Sequence, residues 1–104
     1  MINITVNNKN YNLLKNQSLK TEDFDSEMYV YNPITDNIVV LNTTSRFIFC
    51  WLCQMTKDQR CTVKNLLSEI KKEYIMTIDD EVAFEEDLQL LLDTMIAEGV
   101  FYVQ

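Results

Sequence analysis

The spacing of apolar residues changes once along this chain, near residue 42. Before that point they alternate with polar residues or form short aromatic and β-branched runs, which is typical of strands. After it they recur at i, i+3, i+4 and i+7, the pattern of amphipathic helices. The chain has one glycine and one proline, so both positions are informative as breaks between elements. This order predicts an α+β fold with an N-terminal sheet followed by helices.

Residues 27–42 are predicted to form a β-hairpin. Residues 28–31 and 38–41 are rich in β-branched and aromatic types, which favours strands. The segment between them contains Pro33, which fixes one φ, and Asp36 and Asn37, which tolerate tight conformations. The hairpin is expected to belong to an antiparallel three-stranded sheet.

Residues 1–23 have a weaker pattern. Ile2, Ile4 and Val6 alternate with polar residues and predict a strand, and residues 11–14 predict its return after a turn at 7–10. Residues 17–23 are polar and predict a loop.

Three helices are predicted after the hairpin. The first begins at residues 42–44 and ends near Met55, and the second begins at Thr62 and ends near Tyr74. The third begins at Asp79 or Asp80 and ends at Gly99, a residue suited to the position after a helix. Strands followed by three helices, with a short turn between the first two, outline a winged helix-turn-helix domain.

Length and charge restrict the function. The 104 residues fit one domain, and nine basic against sixteen acidic residues give a net charge of −7. Eight carboxylates and no Lys or Arg lie between Asp79 and Glu98, so a third helix in a groove lined by phosphates would meet like charge. We therefore predict a partner other than nucleic acid.

No catalytic constellation is evident. The chain lacks histidine, the commonest general base, and one glycine cannot make a glycine-rich phosphate loop. Glu85, Glu86 and Asp87 are consecutive, so they point in different directions, and they are predicted to be solvated in the first turns of the third helix. We predict a binding protein with no enzymatic activity and no cofactor.

Cys50, Cys53 and Cys61 are the three cysteines. The C-x-x-C of Cys50 and Cys53 falls inside the first helix, where cysteines usually pack as small apolar residues. Two alternatives remain: redox work, or a metal site that would need a carboxylate such as Asp58 as its fourth ligand. The favoured interpretation is packing, with no metal bound.

A cytoplasmic location is expected. The sequence has no signal peptide pattern and no run of about 18 apolar residues, so we predict no membrane association. An odd number of cysteines fits reduced thiols better than a disulfide framework.

From Met28 onward the sequence resembles the PqqD-like family, the leader-peptide-binding domains also called RiPP recognition elements. Three motifs carry the resemblance: Leu41-Asn42-Thr43-Thr44-Ser45 with Ile48 and Leu52, then Thr62-Val63-x-x-Leu66, then Asp87-Leu88-x-x-Leu91-Leu92-x-x-Met95-x-x-x-Gly99-Val100. The likeness covers residues 24–104 and leaves residues 1–23 unmatched. The chain departs from the family at Cys50 and Cys53 and lacks the common Asp-Gly before the second helix.

The resemblance implies a peptide chaperone that holds the leader of a ribosomally made precursor for a modifying enzyme, often a radical S-adenosylmethionine enzyme. In the family the leader adds as a strand beside the sheet's last strand, which here maps to Ile38, Val39, Val40 and Leu41. In the family the third helix forms the other wall. The apolar stripe of the third helix here is wider than one contact face needs, which makes Phe84, Leu88, Leu91 and Met95 candidate wall residues. From its charge, Asp87 at the rim is predicted to steer a basic leader.

Three alternatives stay open. The four apolar wall residues are also explained as core, which is the favoured interpretation for Leu88, Leu91 and Met95. The whole chain is also explained as an acidic winged-helix adaptor or regulatory subunit that binds a folded protein. A third possibility is a metal or cluster protein that uses its three cysteines.

Overall fold

The computed structural model describes residues 2–55 and 61–104, and it confirms the α+β class. Five strands precede the first helix, and two short strands lie among and after the helices. In chain order the elements are β1 (Ile2–Val6), β2 (Lys9–Lys15), β3 (Lys20–Phe24), β4 (Glu27–Asn32), β5 (Asn37–Leu41), α1 (Thr43–Gln54), β6 (Cys61–Thr62), α2 (Val63–Glu73), α3 (Ile78–Ala97) and β7 (Phe101–Val103).

The strands form two sheets, where the sequence predicted one three-stranded sheet. The hairpin sheet has the order β3-β4-β5 and is antiparallel throughout. The terminal sheet has the order β6-β1-β2-β7, and its β1–β6 pair is parallel. The N-terminal strands therefore pair with the C-terminal strand β7 and with β6 rather than with the hairpin.

The loop predicted for residues 17–23 is confirmed for residues 17–19 and wrong for the rest, because residues 20–24 form β3. Every side chain of β3 is exposed, so the strand has no apolar face that periodicity would reveal. Its pairing with β4 supplies the backbone hydrogen bonds instead.

The turns agree with the residues that form them. Asn7 and Asn8 join β1 to β2 with φ of 50° and 65°, a left-handed conformation that asparagine tolerates. The hairpin between Asn32 and Asn37 is closed as predicted, with Asp36 at φ 60°.

Each helix begins at a polar cap. Asn42 accepts a hydrogen bond from the Ser45 backbone N–H, and Thr62 accepts one from Asn65. Thr77 and Asp80 form a reciprocal capping box at the start of α3. Because α3 begins at Ile78, Glu85 to Asp87 lie in its third turn, so the prediction that they lie in the first turns was wrong. The acidic residues of the first turn are Asp79, Asp80 and Glu81.

The capping box predicts a pH dependence. Hydrogen bonds from Thr77 hold the pKa of Asp80 below its ordinary value of 3.8. The ionised cap therefore stabilises the folded state above pH 3.8, and this contribution is lost as pH falls through the lower pKa of the folded protein. Carboxylate titration by NMR checks this, and an Asp80 midpoint at or above 3.8 would contradict it.

One apolar core joins both sheets to the helices. It contains alternate residues of β1 and β4 together with Phe101 and the inward faces of the helices. The apolar stripe of α3 is buried at Phe84, Leu88, Leu92 and Met95, and half-buried at Leu91 and Ile96. Within residues 2–55 and 61–104, no helix is long and apolar enough to cross a membrane.

Candidate functional site

A groove of about 600 Å³ lies between β5 and α3. Its floor and ends come from α1 and from the segment between α2 and α3. Most of the residues that line it are apolar, and none is Lys or Arg. They are Val39, Val40, Leu41, Asn42, Thr44, Ser45, Ile48, Ile70, Tyr74, Ile75, Met76, Asp80, Phe84, Asp87, Leu88, Leu90, Leu91 and Thr94.

The strand wall of this groove has a free edge. Among the residues that the structure describes, β5 pairs only with β4, so its other edge has backbone N–H and C=O groups without a strand partner. The strand contains no proline and no charged residue. Such an edge is a template on which an extended chain can pair.

The opposite edge of the same sheet differs in charge. There β3 carries Lys20, Glu22 and Asp23, and Arg46 of α1 donates to the Asp23 carboxylate, with 2.7 Å from Nε to Oδ1. Charged side chains along an edge discourage a further strand. Of the two edges of the hairpin sheet, β5 is therefore the one that favours strand addition.

The helix wall brings together most of the predicted site residues. Phe84 and Leu88 are buried at the base of the groove, Leu91 is half-buried, and Asp87 is exposed. Met95 is fully buried in the core and does not line the groove. On the strand, Val39, Val40 and Leu41 line the groove, whereas Ile38 is 60% exposed and lies outside the lining.

The structure adds lining residues that the sequence did not indicate. Ile48 of α1 and Ile70 of α2 lie under the groove, and Tyr74, Ile75 and Met76 close one end. Ile75 is 99% exposed, an unusual position for isoleucine. The sequence signal for this end of the groove was the apolar pair Ile75 and Met76, which lies outside helical periodicity and between the polar ends of α2 and α3.

The face of α3 away from the groove holds the N-terminal hairpin. The Glu85 carboxylate accepts the Asn7 backbone N–H at 2.7 Å, and the Asp93 carboxylate accepts the Tyr11 hydroxyl at 2.8 Å. Gln89, between them on the helix, accepts from the Asn7 amide at 2.8 Å. Burial, and then the hydrogen bond to Asp93, raises the pKa of Tyr11. Two of the carboxylates of α3, Glu85 and Asp93, therefore stabilise the fold.

The cysteines do not form a site in the described part of the chain. Cys50 and Cys53 are half-buried free thiols, and burial raises the pKa of Cys53. A raised pKa disfavours the thiolate that redox and metal chemistry require. Asp58 and the Cys61 side chain lie outside the described part, and the rest contains no cluster of three candidate metal ligands.

Comparison of the chain with protein-family models, with curated proteins and with solved structures finds no match. Function is therefore inferred from the groove and its two walls.

Proposed function

We propose that this chain binds an extended peptide as an added strand on the free edge of β5, and that the peptide is the leader of a ribosomally synthesised precursor. The observation that carries the proposal is the position of this edge, which forms one wall of an apolar groove whose other wall is α3. The accompanying fold proposal is a winged helix-turn-helix in which β4 and β5 form the wing.

Strand addition supplies two kinds of contact. Main-chain hydrogen bonds to β5 bind any extended chain, and they do so independently of sequence. Side chains at alternate positions of the added strand point toward α3 and contact the exposed Leu90 and the half-buried Leu91, which selects for apolar residues. The remaining positions face away from the helix.

The choice of a leader as the peptide is supported by the sequence resemblance to the PqqD-like family. In this role the chain is non-catalytic and cytoplasmic, and it presents the bound leader to a modifying enzyme, for which a radical S-adenosylmethionine enzyme is the first candidate. The groove lining includes Ile75 and Met76 before α3 and residues of α3 as far as Thr94.

The ligand itself provides the sharpest test of strand addition. A synthetic leader from a small precursor encoded beside this gene is expected to bind with low-micromolar affinity or better, roughly 8 kcal/mol by calorimetry. Methylating its backbone nitrogens one at a time should weaken binding about ten-fold at every second position, because alternate N–H groups point to the same edge. Equal sensitivity at successive positions would contradict the ladder.

Two variants of β5 test the same backbone hydrogen bonds through the protein rather than the peptide. Successive residues of a strand direct their N–H groups to opposite edges, so one of Val39 and Val40 donates toward β4 and the other toward the groove. Of Val39→Pro and Val40→Pro, the variant that removes the outward donor should fold, by circular dichroism, and lose peptide affinity. Unchanged affinity in both folded variants would exclude strand addition on β5.

A second candidate function, an acidic adaptor for a folded protein, is favoured by the outer face of the hairpin sheet. Phe24 and Tyr29 pack edge-to-face at 5.1 Å there, and Ile38 and Val40 are exposed on neighbouring positions. Contiguous exposed apolar surface marks protein interfaces. Phe24→Ser with Tyr29→Ser should abolish adaptor binding in a pull-down with the modifying enzyme, yet leave leader affinity unchanged.

A further inference from the structure

We infer that the groove selects a cationic peptide, in which a Lys or Arg pairs with Asp87 and lies two positions from a large apolar residue that contacts Leu91. This inference rests on the proposed strand addition and assigns the side-chain chemistry of the peptide. It concerns one of the eight carboxylates between Asp79 and Glu98.

Most carboxylates near α3 already have partners within the chain. Of the eight between Asp79 and Glu98, five accept hydrogen bonds or form ion pairs: Asp80 with Thr77, Glu81 with Lys71, Glu85 with Asn7, Asp93 with Tyr11, and Glu98 with Asn37. Within residues 2–55 and 61–104, Asp79, Glu86 and Asp87 have neither. Of these three, only Asp87 lines the groove.

A bound peptide changes the surroundings of Asp87. Its carboxylate is exposed in the free protein and stands beside Leu88, Leu90 and Leu91. An added strand displaces water from this wall, and a partly desolvated carboxylate without a partner disfavours binding. A Lys or Arg on the peptide offsets that loss, and the apolar surroundings strengthen the attraction. The groove lining offers no competing Lys or Arg.

The spacing follows from the dimensions of a helix and a strand. The groove runs along α3, because its lining extends from Asp80 to Thr94. Asp87 and Leu91 are one turn apart, a rise of about 6 Å. Two residues of an extended strand advance about 6.7 Å and point to the same side. Peptide side chains that contact Asp87 and Leu91 are therefore two positions apart.

Selection from a phage-displayed library of random linear twelve-residue peptides tests this on three proteins: the wild type, Asp87→Lys and Glu86→Lys. Glu86 is the matched control, because it is exposed, adjacent to Asp87 and outside the groove lining, and its replacement changes the net charge equally. Wild type and Glu86→Lys should enrich Lys or Arg two positions from a large apolar residue. Asp87→Lys should lose this preference and enrich Asp or Glu.

Synthetic peptides then measure the pair. Replacing the selected Lys or Arg by Gln should weaken binding to the wild type about five-fold, and Asp87→Asn should weaken binding of the parent peptide to the same extent. The two changes together should cost no more than either alone. Circular dichroism verifies that the nearly isosteric Asp87→Asn variant is folded.

The outcomes separate the two proposals. Selected peptides that show alternate N-methyl sensitivity but no basic preference, or the same preference on all three proteins, overturn the assignment of Asp87 and leave strand addition standing. Selection of no peptide whose binding depends on the β5 edge contradicts strand addition and, with it, the cationic selectivity.

Discussion

Phe101→Ala is expected to lower the free energy of unfolding by about 3–5 kcal/mol, the range for truncating a fully buried phenylalanine. Phe101 is the first residue of β7 and has no exposed surface. Its ring lies 6.0 Å from that of Phe49 on α1, and its backbone pairs with Lys15 of β2. Truncation leaves a cavity where the terminal sheet meets the first helix. Urea unfolding followed by circular dichroism measures the change.

Tyr102→Ala is the matched control for this prediction. Tyr102 follows Phe101 on the same strand but points outward and is 44% exposed. Its replacement should change stability by less than about 1 kcal/mol. Similar losses for the two variants would contradict the prediction that burial of the Phe101 ring carries the stabilising contribution of β7.

Gly99→Ala is expected to destabilise the fold by about 2–4 kcal/mol, from two separate causes. Gly99 has φ +73°, a left-handed conformation that disfavours alanine. A Cβ added there would lie 2.6 Å from the Asn32 side-chain nitrogen. Asn32 is 2% exposed and donates to the Glu98 and Gly99 carbonyl oxygens, so it cannot move without breaking buried hydrogen bonds.

A double-mutant cycle separates the two causes. In an Asn32→Ala background the steric conflict is absent and only the backbone cost of Gly99→Ala remains. The second substitution should then cost about 1–2 kcal/mol less than it does in the wild type. Strictly additive losses in urea unfolding would contradict a clash with Asn32.

Local patterns were sufficient for the secondary structure wherever one face of an element is buried. Ile2, Ile4 and Val6 alternate because one side of β1 faces the core, and the helices begin at the caps Asn42 and Thr62. Periodicity fails for β3, because all of its side chains are exposed and a strand without a buried face has no alternating apolar pattern. The prediction of which strands share a sheet also fails, because local patterns carry no information on long-range pairing. The pairing of β1 with β6 and of β2 with β7 joins residues far apart in sequence.

The candidate site shows the same division. Apolar spacing identified Phe84, Leu88, Leu91 and Met95 as one stripe, but a helical stripe wider than one contact face does not show which members are covered. Packing buries Phe84, Leu88 and Met95 in the core, and of the four only Leu91 stays half-buried along the groove, whose lining also includes Phe84 and Leu88. Ile48 of α1 and Ile70 of α2 line the same groove, because the packing of the helices brings residues far apart in sequence together.

The sequence by itself determined the chemistry of α3: a helix that starts near Asp79 and ends at Gly99, with an apolar stripe, eight carboxylates and no basic residue. Tertiary structure alone decided what each carboxylate does. Residues of similar charge on one helix point in different directions, and their surroundings come from distant segments. Thus Glu85 and Asp93 hold the N-terminal hairpin, whereas Asp87 faces an open strand edge. Charge composition is local information, but the partner of each charge is set by the fold.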